Sequence, residues 1–188
     1  MKIIKLLILL LVSCSLSAKA GVVKISGSLK QFGLDRVSMN SDGIAAEVYH
    51  DRTIEIILDS NGRFDLKLKL KQPAYYKVGH NTLYLTPGDD LEIIFNRNTT
   101  KTTFNGKGIE ANNYLRNSAK LSGWEIAKIG RELNEFGLPK EKVSFEVYRY
   151  KVDSIVDASL DALAHLTAVT PEFRELEQIR LEACRLAT

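Results

Sequence analysis

The chain has 188 residues, 45% of them hydrophobic, with 26 Lys and Arg against 23 Asp and Glu. That length supports a sizeable core, and two cysteines exclude a framework stapled by several disulfides. The basic surplus vanishes once the first twenty residues are set aside: they hold Lys2, Lys5 and Lys19 and no acid, leaving 23 basic and 23 acidic residues, a balance that argues against the basic face used in phosphate recognition.

Those twenty residues read as an export signal. A positive start at Lys2 and Lys5 precedes an unbroken apolar run over 6–12. Ala18-Lys19-Ala20 then places small residues where a signal peptidase cuts, after Ala20. The apolar stretch over 3–12 falls well short of the roughly twenty residues of a spanning helix. Leu11-Val12-Ser13-Cys14 offers a second route, similar to a lipobox, in which Cys14 is lipidated and tethers the chain to a membrane. Both routes lead to the expectation of an exported protein, periplasmic or in the cell envelope.

From about 22 to 104 the pattern is strand-like. Val23, Ile25 and Leu29 lead, with Gly27 between them as a candidate bulge. An apolar run over 53–58 follows, and Asp59-Ser60-Asn61-Gly62 ends it with an Asn-Gly pair that favours a tight hairpin. Phe64, Leu66, Leu68 and Leu70 then alternate with charged residues, Lys67 and Lys69 among them. That pattern predicts a sheet buried on one face and solvated on the other. Pro73 stops this strand, and short strands follow at 75–78, 83–85, 91–95 and 102–104. Turns at His80-Asn81 and Thr86-Pro87-Gly88-Asp89 separate them. In the second turn Pro fixes φ and Gly supplies the left-handed position. The spacing predicts an antiparallel β-sandwich or partly open barrel over 21–106.

The period turns helical over 107–188. Helices are predicted over 109–121, 125–136 and 140–166, the last with Phe145, Tyr148, Val152, Ile155, Val156, Ser159, Leu163 and Leu166 on one stripe. Thr170 caps a final helix, with Pro171 at its first position and Glu172 against the dipole. Its expected buried stripe is Phe173, Leu176, Ile179, Ala183 and Ala187. The fold class expected is therefore α+β, a sandwich followed by helices.

The search for chemistry points away from catalysis. His50, His80 and His165 have no second ligand at metal spacing, so no metal and no cofactor are expected. Lys101 and Gly108 stand where a phosphate-binding loop around Gly106-Lys107 needs Gly and Ser or Thr. Asp89 and Asp90 are adjacent at a strand start and so face opposite ways. Dithiol chemistry needs a Cys-x-x-Cys pair, which the chain lacks, and Cys184 is expected as a small, partly buried side chain. Tyr75, Tyr76 and Tyr84 form a candidate ligand surface for a small ligand or glycan, or else fill the core. Trp124 is expected to pack at a helix junction.

Four segments in order carry a family resemblance: 61–66 (NGRFDL), 73–78 (PAYYKV), 83–93 (LYLTPGDDLEI) and 104–115 (FNGKGIEANNYL). Together they resemble the N-terminal region of the TlpA-like thiol:disulfide oxidoreductases of Gram-negative bacteria. The resemblance covers about residues 22 to 188. It implies a β-sandwich of unknown function followed by helices, with the redox chemistry in a separate thioredoxin domain bearing Cys-x-x-Cys. None of the matched positions is catalytic in that family, so no site residue is carried over. The expected function is a non-catalytic accessory module that positions a thioredoxin-like domain or binds its client protein. The alternative is a free-standing envelope binding protein for a small ligand or glycan.

Overall fold

The computed structural model describes residues 20–42, 53–118 and 145–186. The leader over 1–19 with Cys14, His50, Trp124, the helix expected over 125–136 and the start of the one expected over 140–166 lie outside the described residues. Eight strands are described: β1 (Gly21–Ser28), β2 (Arg36–Asp42), β3 (Thr53–Ile57), β4 (Arg63–Leu70), β5 (Ala74–Val78), β6 (Asn81–Leu85), β7 (Asp90–Ile94) and β8 (Thr103–Lys107). Three helices follow, α1 (Ile109–Asn117), α2 (Phe145–Ala164) and α3 (Pro171–Leu186). Strands come first and helices last, the α+β layout that the sequence predicts.

The strands form two four-stranded sheets, ordered β4-β1-β7-β8 and β3-β2-β5-β6, and the first is mixed rather than antiparallel throughout as expected, because β1 and β7 run parallel. Period-two alternation explains the core between them. Val23 and Ile25 of β1, Phe64 and Leu68 of β4, Tyr76 and Val78 of β5, Leu83 and Leu85 of β6, and Leu91 and Ile93 of β7 all join one buried cluster. The other face of β4 presents Arg63, Asp65, Lys67 and Lys69 to solvent. Charged side chains on this edge strand also discourage pairing with other chains.

Three local expectations need correction. Gly27 is not a bulge, because β1 runs in unbroken register against both β4 and β7. A Cβ at Gly27 (φ 155°) would stand 1.8 Å from the Ile93 carbonyl oxygen, so glycine is there to let β7 approach. The turn at 59–62 forms, with Gly62 at φ 72° and the Asp59 carboxylate accepting from the amides of Asn61 and Arg63. Its arms, however, part into different sheets, β3 pairing with β2 and β4 with β1. Helix α1 stops at Asn117 rather than 121, where Ser118 turns to extended backbone.

The helices cover the outer face of the second sheet at β5 and β6. Alternation sends Leu83 and Leu85 inward and Tyr84 outward, where it joins Ala111, Tyr114 and Leu115 of α1, Leu163 of α2 and Phe173 of α3 in a second cluster. Val152 and Val156 of α2 close a third cluster with Leu181 of α3. Thr170 caps α3 by accepting from the Phe173 amide at 3.2 Å, as its sequence predicts. The buried stripe of α3 differs from the expected one. Phe173, Glu177 and Leu181 are buried, whereas Ile179 is 60% exposed and Leu176 and Ala183 are also exposed. A hydrophobicity pattern cannot assign a glutamate to a core. Among the described residues no helix is long and apolar enough to cross a membrane.

Candidate functional site

The three tyrosines singled out by sequence are packing residues. Tyr76 points between the sheets and Tyr84 under the helices, each 2% exposed, and Tyr75 is half-buried. Tyr75 and Tyr84 face each other across β5 and β6, with ring centroids 4.9 Å apart. Phe173 stacks on Tyr84 at 4.7 Å and meets the edge of Tyr114 at 5.9 Å. They therefore do not form an open aromatic groove, and the ligand surface expected there is replaced by a helix-covered aromatic layer.

That layer contains a polar network. The Glu177 carboxylate is fully buried. Its Oε1 accepts from the Tyr75 hydroxyl at 2.8 Å and from Arg180 Nε at 3.0 Å, and its Oε2 accepts from Arg180 Nη2 at 2.7 Å. Burial, and then the adjacent Glu177 charge, push the Tyr75 hydroxyl far above the ordinary tyrosine range. Burial opposes the Arg180 charge, and Glu177 more than offsets it, raising that pKa. The network ties α3 to β5, and the proton stays on Tyr75. Burial likewise pushes Tyr84 and Tyr114 up to about 12. The Tyr84 hydroxyl faces Thr170 without a hydrogen bond of good geometry, whereas Tyr114 donates to the Ser159 carbonyl at 3.1 Å.

Helix α1 carries an arrangement that the sequence analysis did not assign. Asn112 is fully buried, and its side-chain amide pairs with the edge of β6 as a strand would. Its Oδ1 accepts from the Tyr84 amide at 2.9 Å and its Nδ2 donates to the Tyr84 carbonyl at 2.9 Å. Nδ2 also donates to the Gly108 carbonyl at 2.9 Å. Three of the nine residues of α1 are asparagine, a type disfavoured in helix interiors because its amide competes for backbone groups. That conflict of composition with structure is the signal that could have marked the helix.

Beside α1 lies an open cleft of about 940 Å³. Asn113 and Asn117 of α1 form part of one wall, and Ile155, Ala158 and Ala162 of α2 part of the other, with Leu166 and Ala168 in the following turn. Among the described residues of the lining, the carboxylate of Glu110 is the sole ionisable acid or base other than the Tyr114 phenol. It accepts from the amides of Thr167, at 2.9 Å, and Ala168, and so holds the α2–α3 turn against α1. Arg116 donates to the Thr102 carbonyl at 2.8 Å and to Asn117 Oδ1 at 3.2 Å, fixing the Asn117 amide. The Asn113 amide makes no hydrogen bond with a described residue. The cleft can take up apolar groups and offer neutral amides.

The remaining candidates stand apart from the cleft. His80 is exposed in the β5–β6 turn, and His165 Nδ1 lies 2.7 Å from the Asp161 carbonyl at the end of α2. Asp89 is buried and accepts from the Thr86 amide at 2.7 Å, while Asp90 is exposed. Burial raises the Asp89 pKa. The half-buried Cys184 thiol donates to the Arg180 carbonyl, and burial raises its pKa. Among the described residues no three His, Cys, Asp or Glu side chains gather as a metal site. Ala20, the expected cleavage position, is exposed immediately before β1. No protein-family model, curated protein or solved structure matches the chain.

Proposed function

We propose that this chain is a non-catalytic module of an exported, TlpA-like thiol:disulfide oxidoreductase, and that it binds the client on which a redox domain acts. The observation that carries this reading is the cleft beside α1, which combines apolar walls with two amides and has the volume of a specific binding site. The sandwich-then-helices order agrees with what the resemblance implies. Thioredoxin-type cycling between dithiol and disulfide uses a Cys-x-x-Cys pair, which the sequence of this chain lacks. The module would act by raising the local concentration of client near a thioredoxin-like partner.

The test is insulin reduction by dithiothreitol, with the chain over 21–188 alone and fused to a Cys-x-x-Cys thioredoxin domain. The chain alone should add no turnover, and the fusion should lower KM for a protein disulfide without changing kcat. Turnover by the chain alone that survives Cys184→Ser would refute the reading, as would an unchanged KM in the fusion.

A further inference from the structure

We infer that the outward face of α3 pairs with the same face of a second copy of this chain, the two helices side by side and parallel. The inference is independent of the client-binding reading. The apolar pattern of α3 marks Leu176, Ile179 and Ala183 for burial, yet the fold turns Phe173, Glu177 and Leu181 inward and leaves those three exposed. Leu186 continues the stripe at 89% exposure, after Ile179 at 60% and Leu176 at 39%. A helix that is apolar on two faces calls for cover on both, and a contiguous exposed stripe of this kind marks an interaction surface.

Spacing and flanking charges name the partner. Leu176, Ile179, Ala183 and Leu186 follow steps of three, four and three, the seam by which two near-parallel helices interlock. Glu175 and Glu182 stand on one flank of that seam and Arg180 on the other. In a parallel pair of identical helices, a residue just before the seam faces the residue five positions on in the other copy. Glu175 of each copy then meets Arg180 of the other, so one sequence supplies two ion pairs. Arg180 holds Glu177 through Nε and Nη2, which leaves Nη1 for that contact on a side chain still 35% exposed. An antiparallel pair would set Glu175 against Glu182, a like-charge contact that selects against it. These pairs fix orientation more than strength, because ion pairs at a surface contribute little.

The area sets the strength. Full burial of Leu176, Ile179 and Leu186 would take roughly 300 Å² per copy out of water, less than half of the about 800 Å² per partner in a standard interface. The association is therefore weak and concentration-dependent, with the monomer as the folded unit.

Sedimentation equilibrium of the chain over 21–188, from micromolar to near-millimolar concentration, should show a reversible monomer–dimer equilibrium. Ile179→Glu puts a charge into the seam at an exposed site, so the urea midpoint should stay at the parent value while the chain becomes monomeric throughout. Should that variant unfold earlier, Leu186→Glu, at the most exposed position of the stripe, replaces it. Glu175→Lys sets a like charge against Arg180 and should weaken the dimer by about tenfold, an effect that added salt reduces. Orientation is read by oxidative cross-linking of Leu186→Cys in a Cys184→Ser background. In a parallel pair the two introduced thiols share one layer, whereas antiparallel pairing with Leu176 opposite Leu186 holds them about 15 Å apart, beyond disulfide reach. A parent that stays monomeric at the highest concentration would overturn the inference, as would a dimer that survives both Ile179→Glu and Leu186→Glu. A dimer that the seam variants abolish but Leu186→Cys does not cross-link would overturn the parallel arrangement.

Discussion

Replacing Asn112 tests the structural logic of α1 most directly. Its side chain is fully buried and makes three hydrogen bonds, two of them to the Tyr84 amide and carbonyl on the β6 edge. Asn112→Ala strands both groups. A buried polar group without a partner costs about 1–3 kcal/mol, so the expected loss is about 3–5 kcal/mol once the cavity is added. At roughly 2–4 °C per kcal/mol for a domain of this size, Tm should fall by about 6–20 °C. Urea unfolding should give the same loss with an unchanged m-value. Asn112→Asp supplies a pH signature, because an ionised carboxylate only accepts and would face the Tyr84 carbonyl. Burial beside the Tyr84 and Gly108 carbonyls outweighs the one Tyr84 amide donor and raises the folded-state pKa of that new acid above about 3.9. The destabilisation is then full above the folded pKa and is partly recovered as pH falls through it, when the acid can donate. An Asn112→Ala loss below about 1 kcal/mol would refute the strand-surrogate account, as would an Asn112→Asp variant no less stable relative to the parent at pH 7 than at pH 4.5.

Other outcomes follow from the aromatic layer and the sheet. Tyr75→Phe removes a hydrogen bond to a buried carboxylate and should cost about 1.5–3 kcal/mol, whereas Tyr84→Phe deletes an unsatisfied hydroxyl and should be neutral or stabilising in urea unfolding. Equal losses in both would contradict the assigned contacts. A Tyr75→Phe/Glu177→Gln double-mutant cycle should show coupling of about 1 kcal/mol or more, and additivity would dissolve the network. Above pH 10 the unfolded chain loses tyrosine protons that folded Tyr84 and Tyr114 keep until about pH 12, so stability must fall with rising pH. Tyr114→Phe should flatten that slope, measured as urea midpoint against pH. Gly27→Ala should cost at least about 3 kcal/mol or prevent folding, because its methyl would overlap the Ile93 carbonyl, and a variant of parental stability would show that β7 can shift aside.

Much of the fold was legible because it is written in periodicity. The alternation of Phe64, Leu66, Leu68 and Leu70 reported one buried face, and the cap at Thr170 reported the start of α3. Strand β2 was missed because Ser38, Asn40, Ser41 and Asp42 have low strand propensity and only Val37 and Met39 report its inner face. Its place between β3 and β5 is set by pairing partners far away in sequence. The α3 stripe was misplaced because Glu177 is buried against Tyr75 and Arg180, a compensation visible only in three dimensions. The candidate site was hardly legible at all. Asn113 and Asn117 carry no hydrophobic signal, and the alanines opposite them matter for the space they leave.

Strand β1 imposes an order of events on the making of this protein. It sits between β4 and β7, antiparallel to one and parallel to the other, with Gly21 opposite Leu70 and Lys24 opposite Asp90. A chain emerging N-terminus first therefore presents its central strand long before either neighbour exists. Until residue 70 is out both edges of β1 are open, and until residue 94 the edge that takes β7 stays open, the slow, non-local pairing that invites wrong partners. Gly21 is the first residue of β1, and a Cβ there would meet Pro87 and Gly88, so the turn leading into β7 closes over the start of β1 only once β7 has docked.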